Sequence, residues 1–261
     1  MKRFGFPVLV CAFVLTLAGF AQAQPEREVV FQTSTIDALL SGIYEGKVTY
    51  GQLKMRGDFG IGTFNELDGE MIGFDGKFYQ ITADGNAHLV ADALMTPFAA
   101  VTFFERDRVF FIDKDLDLAQ LQAYLDGVLP SKNLFYAIRI EGTFKYIKTR
   151  SVPRQSKPYR KLVEVVATQP TFEFKDVKGT IVGFRCPYFV KGANVPGYHF
   201  HFLDEAKARG GHVLDCRLQS VSAALDITPG FRLYLPDGDE FLRRDFEGGN
   251  EKELEKVEQG R

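Results

Sequence analysis

The chain has no tryptophan, three cysteines and four histidines in 261 residues. Phenylalanine is abundant, at 25 residues, so the missing indole does not mean a missing core and points to no particular function. There is no internal repeat and no low-complexity segment, which sets aside solenoids and compositionally biased tails. A basic field is also missing. The formal net charge is −2, so nothing recommends nucleic acid or an anionic membrane as a partner. Beyond the N-terminus no stretch is long and apolar enough to span a bilayer.

What is present begins with a targeting pattern. Lys2 and Arg3 form a basic start, Phe6 to Phe20 is an apolar run, and Ala21-Gln22-Ala23 is an A-x-A cleavage site. Residues 1–23 are therefore expected to be a signal peptide, and the mature chain to be exported to a periplasm or the exterior. Removing 23 of the 261 residues leaves 238, with a formal charge of −4 once Lys2 and Arg3 are gone. That length suits one large domain or two small ones. Cys11 leaves with the leader, so Cys186 and Cys216 remain, with room for one disulfide in an oxidising compartment.

Three of the four histidines fall within fourteen residues, in Tyr198-His199-Phe200-His201-Phe202 and Gly210-Gly211-His212. In a strand, His199 and His201 point to one face and Tyr198, Phe200 and Phe202 to the other. Leu203 to Gly211 reads as a loop returning into a second strand, His212 to Cys216. An antiparallel partner would bring His212 opposite the pair, so one hairpin offers three imidazoles, the commonest protein ligands for a catalytic metal. Cys216, four residues beyond His212, is expected on the same face, as a fourth ligand, a disulfide partner or core; the last two are the better readings. His88, near Gly85-Asn86, reads as a surface turn residue.

Elsewhere the pattern is mostly β. Thr35 or Ser34 caps a short helix to Leu40, and Asp115 to Leu129 is the clearest helix, stopped by Pro130. Leu67-Asp68-Gly69-Glu70 and Phe74-Asp75-Gly76-Lys77 are hairpin signals. Phe135 to Gly142 and Phe144 to Arg150 read as two strands about a turn. Phe172 to Phe174, Gly179 to Phe184, and Phe231 to Leu235 read as further strands, and Ser220 to Ile227 as a long apolar stretch. Leu162 to Thr168 is a short helix or strand. Ser151 to Lys161, rich in Pro and basic residues, is a loop or linker, which suggests a division into residues 24–160 and 161–261. The tail from Glu240 is charged and helical in pattern, with Leu254 and Val257 as candidate docking residues.

Several blocks, in order, resemble the bacterial α-acetolactate decarboxylases. They are Gly57-Asp58-Phe59-Gly60-Ile61-Gly62-Thr63-Phe64, Leu67-Asp68-Gly69-Glu70, Asn133-Leu134-Phe135-Tyr136-Ala137-Ile138, Thr149-Arg150, Gly179-Thr180-Ile181-Val182-Gly183-Phe184 and Gly197-Tyr198-His199-Phe200-His201-Phe202. The resemblance runs from about Thr35 to the C-terminus. It implies a zinc enzyme that converts (S)-2-acetolactate to (R)-acetoin and carbon dioxide. It also implies a homodimer of two-domain α+β subunits, with mixed and antiparallel sheets, few helices and the metal site on a β-hairpin. The ligands it implies are His199, His201 and His212, with Glu70 and Glu258 completing the site and Glu255 as the alternative in the tail. The active-site arginine falls on Arg150.

The chemistry suits those residues. A divalent ion on the ketone and hydroxyl oxygens polarises the carbonyl and stabilises the enediolate left when carbon dioxide departs. Arg150 offers a permanent charge and a planar fork of donors to the carboxylate or the developing oxyanion. Glu70 is a ligand or the group that protonates one face of the enediolate. Without the resemblance, Arg150 would pass for a surface residue beside Lys145, Lys148 and Arg154, and Glu70 for a polar residue after a turn. Two other readings remain. Glu205 completes an HxH-x3-E pattern like that of a cupin-type oxygenase or isomerase, and an exported metal-binding or sugar-binding β-protein would need no catalysis.

Overall fold

Period-two alternation sorts the strands into two main sheets with one shared apolar layer. The computed structural model describes Met1 and residues 27–259, so the expected leader, apart from Met1, lies outside the described residues. The first sheet runs β14 (Gly230–Tyr234), β1 (Val29–Thr33), β8 (Ala99–Thr102), β3 (Phe59–Thr63), β4 (Glu70–Phe74), β5 (Lys77–Ile81) and β6 (Ala87–Leu89). Its β1–β14 pair is parallel and its other pairs antiparallel, which makes it mixed.

The second sheet is antiparallel, in the order β10 (Phe135–Arg150), β11 (Thr171–Cys186), β12 (Gly197–Asp204), β13 (Gly210–Thr228) and β9 (Arg108–Ile112). β10 also pairs with β13, so the sheet curls back on itself. The concave side holds Tyr136, Ile138, Phe144, Phe202 and Leu218, and α3 (Leu118–Val128) adds Leu121 and Leu125 to that core. Strands from both sides of residue 160 share this sheet. A two-stranded ribbon, β2 (Val48–Thr49) with β7 (Met95–Thr96), stands beside α2 (Tyr50–Lys54).

Between the two sheets lies a layer of Phe59, Ile61, Ile72 and Phe74 from the first and Ala137, Val182, Phe184 and Leu203 from the second. At one end of this layer, α1 (Ile36–Leu40), α4 (Leu162–Val166) and α6 (Glu251–Gln259) contribute a separate apolar cluster. α5 (Asp239–Leu242) has no buried residue. No helix among the described residues is long and apolar enough to cross a membrane.

Several local expectations change. Thr35, not Ser34, caps α1, accepting from the Ala38 amide. α3 begins after Asp117, whose side chain forms a reciprocal cap with Gln120, rather than at Asp115. β10 is one strand through Gly142, where a turn was expected. That glycine answers a close approach instead, since a Cβ there would sit 2.3 Å from the Ser220 carbonyl oxygen. β11 is likewise continuous over 16 residues and β13 over 19.

The long strands hold together because bulges absorb their irregularities. Lys145 is an extra residue in β10, since Phe144 pairs with Leu218 and Tyr146 with Arg217. Leu214 is extra in β13, since Thr149 pairs with Val213 and Lys148 with Asp215. Each bulge switches which alternate residues face the other sheet.

Candidate active site

Alternation in β12 puts Phe200 and Phe202 in the concave core and leaves His199 and His201 on the face toward the first sheet. His201 pairs directly with His212 across the β12–β13 turn. Glu70 opens β4 on the same side as Ile72 and Phe74, so it also faces the gap between the sheets. Arg150 closes β10 opposite His212. Glu258 comes from α6, far along the chain. The six side chains meet at the helical end of the interlayer core.

The imidazoles converge. His199 Nε2 lies 3.1 Å from His212 Nδ1 and 3.2 Å from His201 Nε2. The ligand atoms of all three lie within 4.8 Å of one another. His201 Nδ1 is 2.7 Å from the Met71 carbonyl oxygen and His212 Nε2 is 3.3 Å from the Glu258 carbonyl oxygen. Donating to those carbonyls leaves His201 Nε2 and His212 Nδ1 as bare lone pairs, both facing His199 Nε2. One proton on His199 satisfies only one of them. A single cation satisfies all three, and the spacing suits nitrogens about 2.0–2.1 Å from a shared ion. The donor set therefore fits a divalent metal with second-layer carbonyls orienting two of its ligands.

Burial holds the imidazoles neutral. It pushes His199 down to about 3 and His201 and His212 well below the ordinary range, with the Arg150 charge adding to the effect. Glu70 and Glu258 flank the cluster. Glu70 Oε2 is 3.7 Å from His201 Nε2, and Glu258 Oε2 is 3.9 Å from both His199 Nε2 and His212 Nε2. Burial raises each carboxyl to about 7 against the opposing pull of Arg150. Arg150 Nη1 donates to Glu70 Oε1 at 2.7 Å, while Arg150 Nε is buried with no protein partner. That orphaned donor beside the cluster suits an anionic ligand.

The cleft is small, so it favours a small substrate. One side is polar, with Thr63, Glu70, Arg150, His199, His201 and Glu258. The other is apolar, with Ile36 and Leu39 from α1, Phe98, Leu162 from α4 and Val257 from α6. These wall residues carried no functional signal in the sequence, because scattered apolar residues read as ordinary core; Val257 stood out only as a candidate docking residue.

Other candidates lie elsewhere. Glu258 lines the cleft, whereas Glu255 is exposed and does not. Glu205 sits in an exposed turn outside the cluster, so the cupin-like pattern is not assembled. His88 is exposed on β6 rather than in a turn. Cys186 and Cys216 are both free and buried in different apolar layers, so no disulfide joins them. Cys216 does not share the face of His212, because the Leu214 bulge turns it into the concave core.

The chain is similar to known proteins over most of its length. The family model described as alpha-acetolactate decarboxylase matches residues 30–248, which includes every site residue except Glu258. An alpha-acetolactate decarboxylase of Methanosarcina mazei is 51% identical over 88% of this chain and 80% of its own length. One from Methylococcus capsulatus is 47% identical over 89% of this chain and 90% of its own. The crystal structure of alpha-acetolactate decarboxylase from Bacillus subtilis strain 168 superposes with a TM-score of 0.87 at 42% identity, covering 89% of this chain and all of that one.

Proposed function

This chain belongs to the alpha-acetolactate decarboxylase family and is a lyase acting on a small molecule, and from that premise we propose the following chemistry. It converts (S)-2-acetolactate to (R)-acetoin and carbon dioxide, with a divalent ion, zinc first among candidates, held by His199, His201 and His212. Glu70 and Glu258 complete the ligand set. The observation that carries the reading is the convergence of three neutral imidazoles beside an arginine with an unpartnered buried donor. A bound ion would supply a Lewis acid that draws charge onto the ketone and hydroxyl oxygens, stabilising the enediolate that decarboxylation leaves.

The chain's own residues do the rest. Arg150 binds the substrate carboxylate through the donors that Glu70 does not occupy, and so orients the bond that breaks. Glu70, with Oε1 engaged by Arg150 at 2.7 Å, fixes that guanidinium. Among the described residues Glu258 has no such ion-pair partner at hydrogen-bond distance, and we assign to its carboxyl, protonated when substrate takes its place in the ligand set, the delivery of that proton from Oε2 to one face of the product carbon. The apolar wall excludes water and receives the two methyl groups. Exposed Glu205 speaks against the oxygenase alternative.

Two further parts belong to the proposal. The leader pattern of Lys2 to Ala23 supports export, checked by N-terminal sequencing of secreted protein. The family resemblance supports a homodimer, checked by light scattering. The central experiment is acetoin formation from racemic acetolactate before and after chelation, with zinc added back. Chelator-sensitive release of one acetoin enantiomer, restored by zinc, is the expected result. Full activity after the ion has been stripped would overturn the metal-dependent mechanism, and no acetoin from metal-loaded protein would overturn the assigned reaction.

A further inference from the structure

The apolar wall has a feature that the reaction does not demand. Polar groups of the cleft account for the carboxylate, hydroxyl and ketone of a 2-hydroxy-3-oxo acid, which leaves its alkyl groups to the wall. Beside Phe98, that wall draws on three separate helices, with Ile36 and Leu39 on α1, Leu162 on α4 and Val257 on α6. On α6, Val257 is the only fully buried side chain among those described, at 1% exposure, and Glu258 follows it directly. The remainder of α6 is mostly charged and exposed or half-buried. The helix therefore enters the molecule through one β-branched side chain, held in few rotamers. How far Val257 projects into the cleft sets the space left for an alkyl group.

Building on the proposed decarboxylase chemistry, we infer that Val257 is the size-determining residue for the 2-alkyl substituent of the substrate, with Ile36 of the same apolar wall as its counterpart. The wild-type wall favours a methyl group. Shortening it at either residue shifts preference toward the ethyl homologue, 2-ethyl-2-hydroxy-3-oxobutanoate, whose decarboxylation gives 3-hydroxypentan-2-one. One methylene in an apolar pocket changes kcat/KM by about tenfold or more, so the ethyl-to-methyl ratio is the quantity to read.

The experiment measures kcat/KM on both substrates for metal-loaded wild type, Val257→Ala, Val257→Ile, Ile36→Val and Val166→Ala. Val166 is buried in the same apolar cluster but does not line the cleft, so it reports general loosening. The expected result is a ratio raised about tenfold in Val257→Ala, lowered in Val257→Ile, raised in Ile36→Val and unchanged in Val166→Ala. If Val257→Ala releases α6 and abolishes both activities, Ile36→Val decides, because α1 does not carry Glu258: a raised ratio supports the inference and an unchanged one removes it. An equal rise in Val166→Ala also removes it, since loosening alone would then explain the change. Wild-type acetoin formation with an unaltered ratio in the wall variants defeats this inference only. A metal-loaded wild type that forms no acetoin defeats the functional reading beneath it.

Discussion

Two buried arginines on β10 meet the two ends of β4, and they do different things. Arg139 reaches Asp75, just past the end of β4, with Nη1–Oδ1 at 2.6 Å and Nη2–Oδ2 at 3.2 Å, and also holds Glu141 at 2.6 Å. Arg150 reaches Glu70, the first residue of β4, through one nitrogen at 2.7 Å. Both guanidiniums are sunk between the sheets. The carboxylates differ: the Asp75 side chain is 64% exposed and that of Glu70 7%. Arg139 holds the Asp75 carboxyl below its usual range, whereas burial raises Glu70 to about 7 despite Arg150. An ion pair at the rim has its carboxylate in water and is quiet. The same pair moved beside three imidazoles, away from water, leaves its carboxyl poised near neutral pH. Reactivity here comes from what surrounds the pair.

The comparison can be broken most severely at the histidine end. His201→Ala removes one of three converging nitrogens and should take both bound ion and turnover to background, read by metal analysis and acetoin assay. Arg150→Ala should retain ion and fold while turnover falls about 10²–10³-fold. Its structural cost stays small because Glu70 takes up a proton instead of remaining a buried bare charge. Arg139→Ala should reverse that profile, with acetoin formation near wild type and a loss of about 2 kcal/mol in denaturant unfolding. A fall in turnover there matching that of Arg150→Ala would erase the distinction. Asp75→Asn is the mildest, below about 1 kcal/mol, since its carboxylate is largely in water. The sign follows from its lowered pKa. The pair contributes fully at neutral pH and fades as pH falls through the carboxylate range, so wild type and Asp75→Asn should melt alike in strong acid.

These contrasts also mark where reading the chain succeeded and stopped. The His199/His201 pair was legible because strand alternation is local, and His212 because its return turn is short. Glu70 and Arg150 had no local signature. A glutamate after an Asp-Gly turn and an arginine among lysines look like surface, and only resemblance singled them out. What separates them from surface is one sheet packing on another, a contact 80 residues apart in sequence. Arg139 went unnoticed for the same reason. Gly142 looked like a turn because a glycine needed for close approach and one needed for a bend are the same letter. Cys216 was placed by counting two residues per repeat from His212, and the count failed at Leu214 because a bulge has no reliable residue signature.

Arg139 and Arg150 are eleven positions apart, an odd interval, and a regular strand would point them in opposite directions. They face the same sheet because Lys145 adds half a period between them. The strand behaves like a wave with a phase slip at one point. This makes β10 tolerant of changes in residue identity near Lys145 and intolerant of changes in residue number. A deletion at that position would leave every letter downstream intact, yet turn Arg150 into the greasy interior and Ile147 toward the histidine cluster, a frameshift written in three dimensions.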